Sequence, residues 1–481
     1  MNFAIVRYLI GWMLGIESIF LLLPALTAVI YGEAELPAYL TAAAISLAGA
    51  ALLCHRKPKN TRFYAREGYV TVALCWLVLA VIGALPFVLS REIPFFIDAL
   101  FETVSGFTTT GATILGDVEA LSHASMLWRC LTHWVGGMGV LVFMLIVLPL
   151  AGGQTIFLMR AESPGPSVSK MSPHMRDTAT ILYAIYFGLT VLQMILLLIG
   201  GMPFFDAICV SLGTAGTGGF GNWNDSIAHY NSAYLQNVIT VFMILFGINF
   251  SAYFLILTRK FRQAFRIEEI RVYLGVIFVF AGLIAFNVRP MFGSLRESFH
   301  HALFQVASII TTTGFSTVDF DRWPTFSRAL LVLLMFIGAC AGSTGGGIKC
   351  SRILLLGKSV KKELMCLIHP RLVRVNKMDG QRVPHEVMRS INVFVVAYAF
   401  IFILSLLIIS LNCEDLVTCF TSVATTLNNV GPGLSLCGPT CNFGFFPPLS
   451  KGVLIFDMLA GRLELFPMLL LFTPGTWQRN K

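Results

Sequence analysis

Four times along this chain, an apolar segment too short to cross a bilayer runs into a glycine-centred loop and then into a long apolar stretch. The loops are Thr109-Thr110-Gly111-Ala112, Gly218-Gly219-Phe220-Gly221, Thr312-Thr313-Gly314-Phe315 and Asn429-Val430-Gly431-Pro432. The short segments before them are 95–107, 204–213, 299–310 and 416–426. Each falls well short of the ~20 residues a spanning helix requires, and fits a re-entrant half-helix. Irregular backbone at membrane depth survives only against protein or beside a water-filled path. The pattern therefore predicts an all-α membrane protein: four span–half-helix–span units around one path, with loop carbonyls lining it.

Composition agrees. The chain is 56% hydrophobic and 12% charged, against about 25% charged in soluble proteins. Ten spans are expected, at about 8–31, 36–54, 69–89, 126–150, 179–200, 232–257, 272–288, 326–348, 390–411 and 450–472. The first run exceeds the apolar core of a signal peptide and reads as a retained helix. Basic residues collect after the second span (Arg56, Lys57, Lys59, Arg62, Arg66), the sixth (Arg259, Lys260, Arg262, Arg266, Arg271) and the eighth (Lys349 through Arg389). Opposite segments carry Glu33, Glu35, Asp117, Glu119, Asp225, Glu414 and Asp415. The positive-inside rule then puts both termini and the basic segments in the cytoplasm, and all four loops outside. The net charge of +9 thus reports orientation rather than nucleic-acid binding. The eleven cysteines show no zinc spacing. Cys437 and Cys441 flank a polar outer loop, where a bridge and two free thiols both fit.

The expected division is a two-helix N-terminal appendage over 1–67, then pore repeats over 68–152, 153–258, 259–356 and 357–481. Thirteen residues before the loop glycines stand Asp98, Asp206, His301 and Thr418. Asp98 and Asp206 fall near half-helix N-termini, where a carboxylate can cap free N–H groups and suit the helix dipole.

A dehydrated cation such as K+ needs oxygens in place of its water shell, and four loops of carbonyls supply them. Glycine permits backbone conformations that a side chain forbids. Half-helix C-termini aimed at the path favour positive charge. Gly338, Gly342, Gly345, Gly346 and Gly347 interrupt the eighth span. Each glycine costs a helix ~1 kcal/mol, so 342–347 is expected to unwind as an intramembrane gate. Arg462, mid-way along the tenth span, is costly in a membrane unless it faces a cavity or partner; it is expected to project into the path. His133 reads as a hydrogen-bonded interior histidine.

Two motifs mislead. Residues 216–221 fit GxGxxG but lack the βαβ context of a dinucleotide site. Residues 342–349 approach a P-loop, but Ile348 breaks the glycine–lysine step. No HExxH or GxSxG occurs, and no catalytic set converges, so no enzyme is expected.

TTTGAT at 108–113, TTTGFS at 311–316, NNVGPG at 428–433, the glycine-rich 338–347 and GRLE at 461–464, on four repeats over essentially the whole chain, resemble the Trk/Ktr superfamily of K+ transporters. The two extra N-terminal spans are similar to its TrkH branch. The resemblance implies K+ uptake across a bacterial inner membrane through a channel-like pore, and a homodimer. It implies filter carbonyls at Thr109, Thr110, Gly111, Thr217, Gly218, Gly219, Thr312, Thr313, Gly314, Asn429, Val430 and Gly431. It assigns the gate to Gly342, Gly345, Gly346 and Gly347, and the constriction to Arg462. It implies no cofactor in this chain, with a nucleotide (NAD or ATP) only on a cytosolic TrkA-type ring that could dock on the basic segments. The loops depart from strict four-fold chemistry, reading TTGA, GGFG, TTGF and NVGP. The alternative is a Na+- or H+-coupled secondary transporter (a symporter), with broken helices forming an occluded site.

Overall fold

The computed structural model describes residues 1–58, 64–147, 175–371 and 375–478. Lys59, Arg62 and Arg374, the end of the fourth span and the boundary at 152/153 lie outside the described residues. The described chain is almost wholly helical; its one ladder pairs Lys377–Met378 with Gln381–Arg382.

Among the described residues six helices are long and apolar enough to cross a bilayer: Phe3–Tyr31, Leu36–Cys54, Ala65–Ser90, Thr180–Ile199, Glu268–Met291 and His385–Ile409. The expected half-helices are present as Phe96–Phe107, Phe204–Gly216, Leu295–Ile310 and Leu416–Asn428. Their burial follows from their sequence: Ala99, Phe101, Val104 and Phe107 of the first are almost wholly enclosed.

Three expected spans are broken. The sixth is two helices, Ala233–Phe246 and Phe250–Leu257, bent by 92°. The eighth stops at Ile337, before the glycine cluster, because Gly338 takes a left-handed φ of 71°; helix resumes only at Cys350. The tenth is Pro448–Arg462 followed by Phe466–Leu471, with Glu464 and Leu465 at positive φ between them.

The two N-terminal helices lie tightly together through small residues. A methyl on Gly11 would fall 3.3 Å from the Ala50 carbonyl, the close approach that membrane helices use. This pair is tied to the repeats. Glu33 accepts from the free N–H groups of His123 (2.7 Å) and Ala124 (3.0 Å) at the start of helix His123–Val147. Tyr39 and Ser125 share a buried hydroxyl contact of 2.9 Å.

The sequence places Asp98 and Asp206 as caps; the structure corrects this. Neither half-helix N-terminus has a side-chain cap. Asp98 pairs instead with Lys451 at 2.5 Å. Asp206 accepts from Asn222 (2.7 Å), the Trp223 indole (3.3 Å) and the Tyr230 hydroxyl (2.5 Å), tying the second half-helix to the loop beyond it. Charged and polar partners from other elements outcompete the local N–H groups. The third and fourth half-helices are capped, by Ser294 and Asp415. Cys437 and Cys441 are not bridged.

Candidate functional site

The four loops close into a ring. A methyl on Gly111 would sit 2.0 Å from the Gly218 carbonyl oxygen; on Gly219, 2.0 Å from that of Thr313; on Gly314, 2.5 Å from that of Val430; on Gly431, 2.7 Å from that of Thr110. Each loop glycine thus faces the carbonyl just before the glycine of the next loop, and the fourth returns to the first. Only the absence of a side chain lets the backbones approach this far.

Each loop repeats one backbone pattern. The loop glycine has positive φ, between 78° and 98°, and so does the residue two before it: Thr109 (56°), Thr217 (55°), Thr312 (59°) and Asn429 (55°). The residue between them is not in that region. Alternating the sign of φ turns successive peptide planes so that their carbonyls can line one wall, which an ordinary strand cannot do. Holding a non-glycine residue there costs about 1–3 kcal/mol, so the surroundings must enforce it.

They do so with hydrogen bonds. Thr108 and Thr110 share a hydroxyl contact of 2.8 Å, and Thr311 and Thr313 the equivalent at 2.7 Å. The Asn429 amide donates to the Thr110 hydroxyl (2.9 Å) and the Met458 carbonyl (2.9 Å), joining the fourth loop to the first and to the last span. Glu102, fully enclosed, pairs with Arg129 at 2.8 Å and accepts from Thr113 and from the Ile114 N–H at 3.0 Å each. Arg129 also lies 4.1 Å from the centre of the Phe220 ring. This pair clamps the first loop to the second; removing one partner of such a pair costs about 3–5 kcal/mol.

His133 explains why the second loop is nearly all glycine. Its Nδ1 donates to the Gly106 carbonyl (2.7 Å) and its Nε2 accepts from the Phe220 N–H (3.2 Å), which fixes the tautomer. A methyl on Gly218 would fall 2.2 Å from the imidazole. The ring fills the room that a side chain takes in the other loops.

The glycine-rich break lies against the inner ends of the third and fourth half-helices. Gly346 N–H donates to the Thr312 hydroxyl (2.6 Å) and Gly347 N–H to the Asn428 carbonyl (3.0 Å). On its other flank it fits into the bend of the sixth span: Cys340 N–H donates to Gly247 O (3.1 Å), Phe250 N–H to Gly342 O (3.0 Å) and the Thr344 hydroxyl to Phe246 O (3.2 Å). These bonds pair part of the polar backbone of both breaks, and such pairing is what unwound chain in a membrane requires. The Gly247-Ile248-Asn249 sequence carries the bend, Asn249 capping the shorter helix through the Ser251 N–H (2.8 Å). That glycine–asparagine pair was the available signal.

Arg462 donates to the Thr344 carbonyl (2.8 Å) and to the Gly136 carbonyl (2.7 Å), bridging the glycine-rich break to helix His123–Val147. Glu464 pairs with Arg352. Lys349 donates to the Gly345 carbonyl. Lys349 and Arg352, expected within a basic cytoplasmic segment, are thus engaged with the break and its flank. Glu269, unnoticed in the sequence, is 3% exposed and accepts from both ends of the break: Ala341 N–H (2.7 Å) and Ser351 N–H (3.0 Å). No periodic signal marks it, because its partners are backbone groups about seventy to eighty residues away in sequence.

Among the described residues no cluster of ligating side chains could hold a transition metal; the oxygens available to an ion here are carbonyls and hydroxyls. The TrkH family profile, described as cation transport protein, matches residues 38–279 and 279–478. The Trk system potassium uptake protein TrkH of Salmonella typhimurium is 38% identical over 99% of this chain and 100% of its own length. TrkG of Escherichia coli, also a Trk system potassium uptake protein, is 33% identical over 98% of both. The crystal structure of the potassium transporter TrkH from Vibrio parahaemolyticus superposes with a TM-score of 0.89 at 33% identity, covering 99% of this chain and 100% of that one. These matches are to transporters and not to an enzyme family, and on them the chain belongs to the TrkH family of cation transport proteins.

Proposed function

We propose that this chain carries K+ into a bacterial cell across the inner membrane, through a single pore whose filter is the ring of four loops. The observation that carries this reading is the closed order of contacts, Gly111 to Gly218, Gly219 to Thr313, Gly314 to Val430 and Gly431 to Thr110. A ring of backbone carbonyls from four loops replaces the water shell of a dehydrated cation. The filter residues are Thr109, Thr110 and Gly111; Thr217, Gly218 and Gly219; Thr312, Thr313 and Gly314; and Asn429, Val430 and Gly431. That relatives are named potassium uptake proteins supports K+ as the ion.

The break containing Gly342, Gly345, Gly346 and Gly347 is the gate in this reading, and Arg462 constricts the path. Two observations support it: the break lies against the ends of the third and fourth filter segments, and Arg462 holds its Thr344 carbonyl. Ten spans with both termini cytoplasmic are part of the same reading. The N-terminal ammonium donates to the Gln478 carbonyl at 3.1 Å, which supports termini on one side. The Asp379 carboxylate accepts from the Glu268 N–H at 2.7 Å, which supports a common side for the segments after the sixth and eighth spans. A homodimer and a TrkA-type nucleotide-binding ring complete the proposal.

Coupled transport has one observation in its favour. Glu17 and Asp457 are enclosed carboxyl groups, each with at least one oxygen lacking a hydrogen-bond partner. The purified protein in liposomes tests both readings: 86Rb+ uptake is followed under a K+ gradient while Na+ and H+ gradients are varied independently. Uptake driven by the K+ gradient alone is expected; an absolute need for a Na+ or H+ gradient would replace the channel with a symporter.

A further inference from the structure

A polar cavity lies apart from the filter and gate. It opens between helix Cys350–Ile368, the Lys377–Arg382 hairpin and the first turns of helix His385–Ile409, and has a volume of about 340 Å3. Ser359, Lys362, Arg382, His385, Arg389 and Asn392 are among its lining residues. Three permanent positive charges line it against one carboxylate, Glu363, which already lies 3.6 Å from Lys362. Among the described residues neither Arg382 nor Arg389 makes an ion pair.

The cavity continues into an apolar stripe. Along helix His385–Ile409, Arg389 is followed on one face by Val393, Val396 and Phe400, which are 48%, 71% and 69% exposed. The spacing of four, three and four residues keeps them in line. Val393 belongs to both the cavity wall and the stripe. Basic residues therefore sit at the end of the helix next to the charged hairpin, and bare aliphatic and aromatic surface runs from them toward the middle of this apolar helix. A basic pocket between helices at the membrane boundary matches an anionic lipid headgroup, and the stripe matches an acyl chain.

We propose that this groove binds one anionic membrane phospholipid, its phosphate among Lys362, Arg382 and Arg389 and one acyl chain along Val393, Val396 and Phe400. A soluble phosphate would satisfy the basic residues but leave the stripe bare. Lys358, one turn before Lys362 on the same helix, pairs with Glu268 and donates to the Lys377 carbonyl at 2.8 Å, which fixes the hairpin beside the groove.

Native mass spectrometry of the full-length, delipidated protein tests this, with titrated phosphatidylglycerol and with phosphatidylcholine as the neutral comparison. The wild type is expected to retain one phosphatidylglycerol in preference to phosphatidylcholine. R382Q/R389Q is expected to bind it about tenfold or more weakly, from the loss of two basic contacts. R382K/R389K, with an unchanged melting temperature, is expected to restore binding. R262Q/R266Q removes the same charge away from the groove and is expected to bind like the wild type. Equal retention by the wild type and R382Q/R389Q would overturn the site. Equal weakening in R262Q/R266Q would reduce it to bulk charge. Displacement of the lipid by inorganic phosphate at equal concentration, or by an acidic peptide, would reassign the groove to a soluble anion or a protein partner.

Discussion

Replacing a loop glycine by alanine is the most direct challenge to the ring. At Gly219 the new methyl would fall 2.0 Å from the Thr313 carbonyl oxygen, with the backbone at φ 81°. Contacts of this kind are essentially never shorter than 3.0 Å, so one backbone must retreat by about 1 Å. Backbone strain adds about 1–2 kcal/mol for a side chain at positive φ. The retreating group is the carbonyl proposed to hold the ion, so the loss should be in ion preference as well as stability. Each 1.4 kcal/mol of differential binding is about tenfold in K+ over Na+; a 1 Å displacement of one oxygen set should cost at least that. The geometry also ranks the series: Gly111→Ala and Gly219→Ala (both 2.0 Å) most severe, then Gly314→Ala (2.5 Å), then Gly431→Ala (2.7 Å). Gly116→Ala, in open space, serves as the control. Competing 86Rb+ and 22Na+ uptake into liposomes measures the ratio, and melting temperature separates misfolding from altered selectivity. A folded Gly219→Ala protein with wild-type selectivity would refute the argument.

Three further outcomes follow from the same contacts. Arg462→Ala removes the bonds to Thr344 and Gly136, and should raise K+ flux severalfold with selectivity unchanged; unchanged flux in a folded protein would remove Arg462 from the constriction. Glu269→Ala strands the Ala341 and Ser351 N–H groups, at about 1–3 kcal/mol each. It should loosen the break, visible as faster hydrogen exchange across 338–351 by mass spectrometry, while exchange at the four glycine loops stays slow. Asp415 lies outside the spans, and hydrogen bonds led by that from Thr418 hold its carboxyl down to about 2. A depressed carboxyl stabilises above its unfolded value near 4, and that contribution disappears as pH falls toward 2. Asp415→Ala should therefore lower stability by about 1 kcal/mol at neutral pH, the worth of a helix cap. Its melting temperature should fall less than the wild type's between pH 5 and 3; parallel curves would contradict the capping role.

The half-helices, the six long apolar helices and the positions of the four loops along the chain were readable in the sequence because each depends on local apolar length and on glycine where few other residues fit. The unwinding at 342–347 was readable for the same reason, although the helix ends earlier, at Ile337. The bend in the sixth span was not anticipated, since Gly247 and Asn249 break the helix where the glycine-rich segment from another repeat inserts. Asp98 and Asp206 looked like caps because sequence shows a carboxylate near a helix start but not the Lys451 or Tyr230 that reaches it first.

The sequence by itself determined that the chain is a helical membrane protein with four glycine loops of one kind, because hydrophobic length, charge asymmetry and backbone conformation are properties of short stretches. Only the tertiary structure decided that the loops close on one another in the order one, two, three, four, because a methyl-free Cα against a carbonyl is a contact between repeats. It also decided why the loops differ. His133 occupies the space beside Gly218, while Thr108 and Thr311 brace Thr110 and Thr313, so one ring is built from unlike sequences. The same holds for Glu269 and Arg462: their partners are backbone groups, which carry no identity for sequence to reveal, and folding alone brings them to the two ends and the middle of the glycine-rich break.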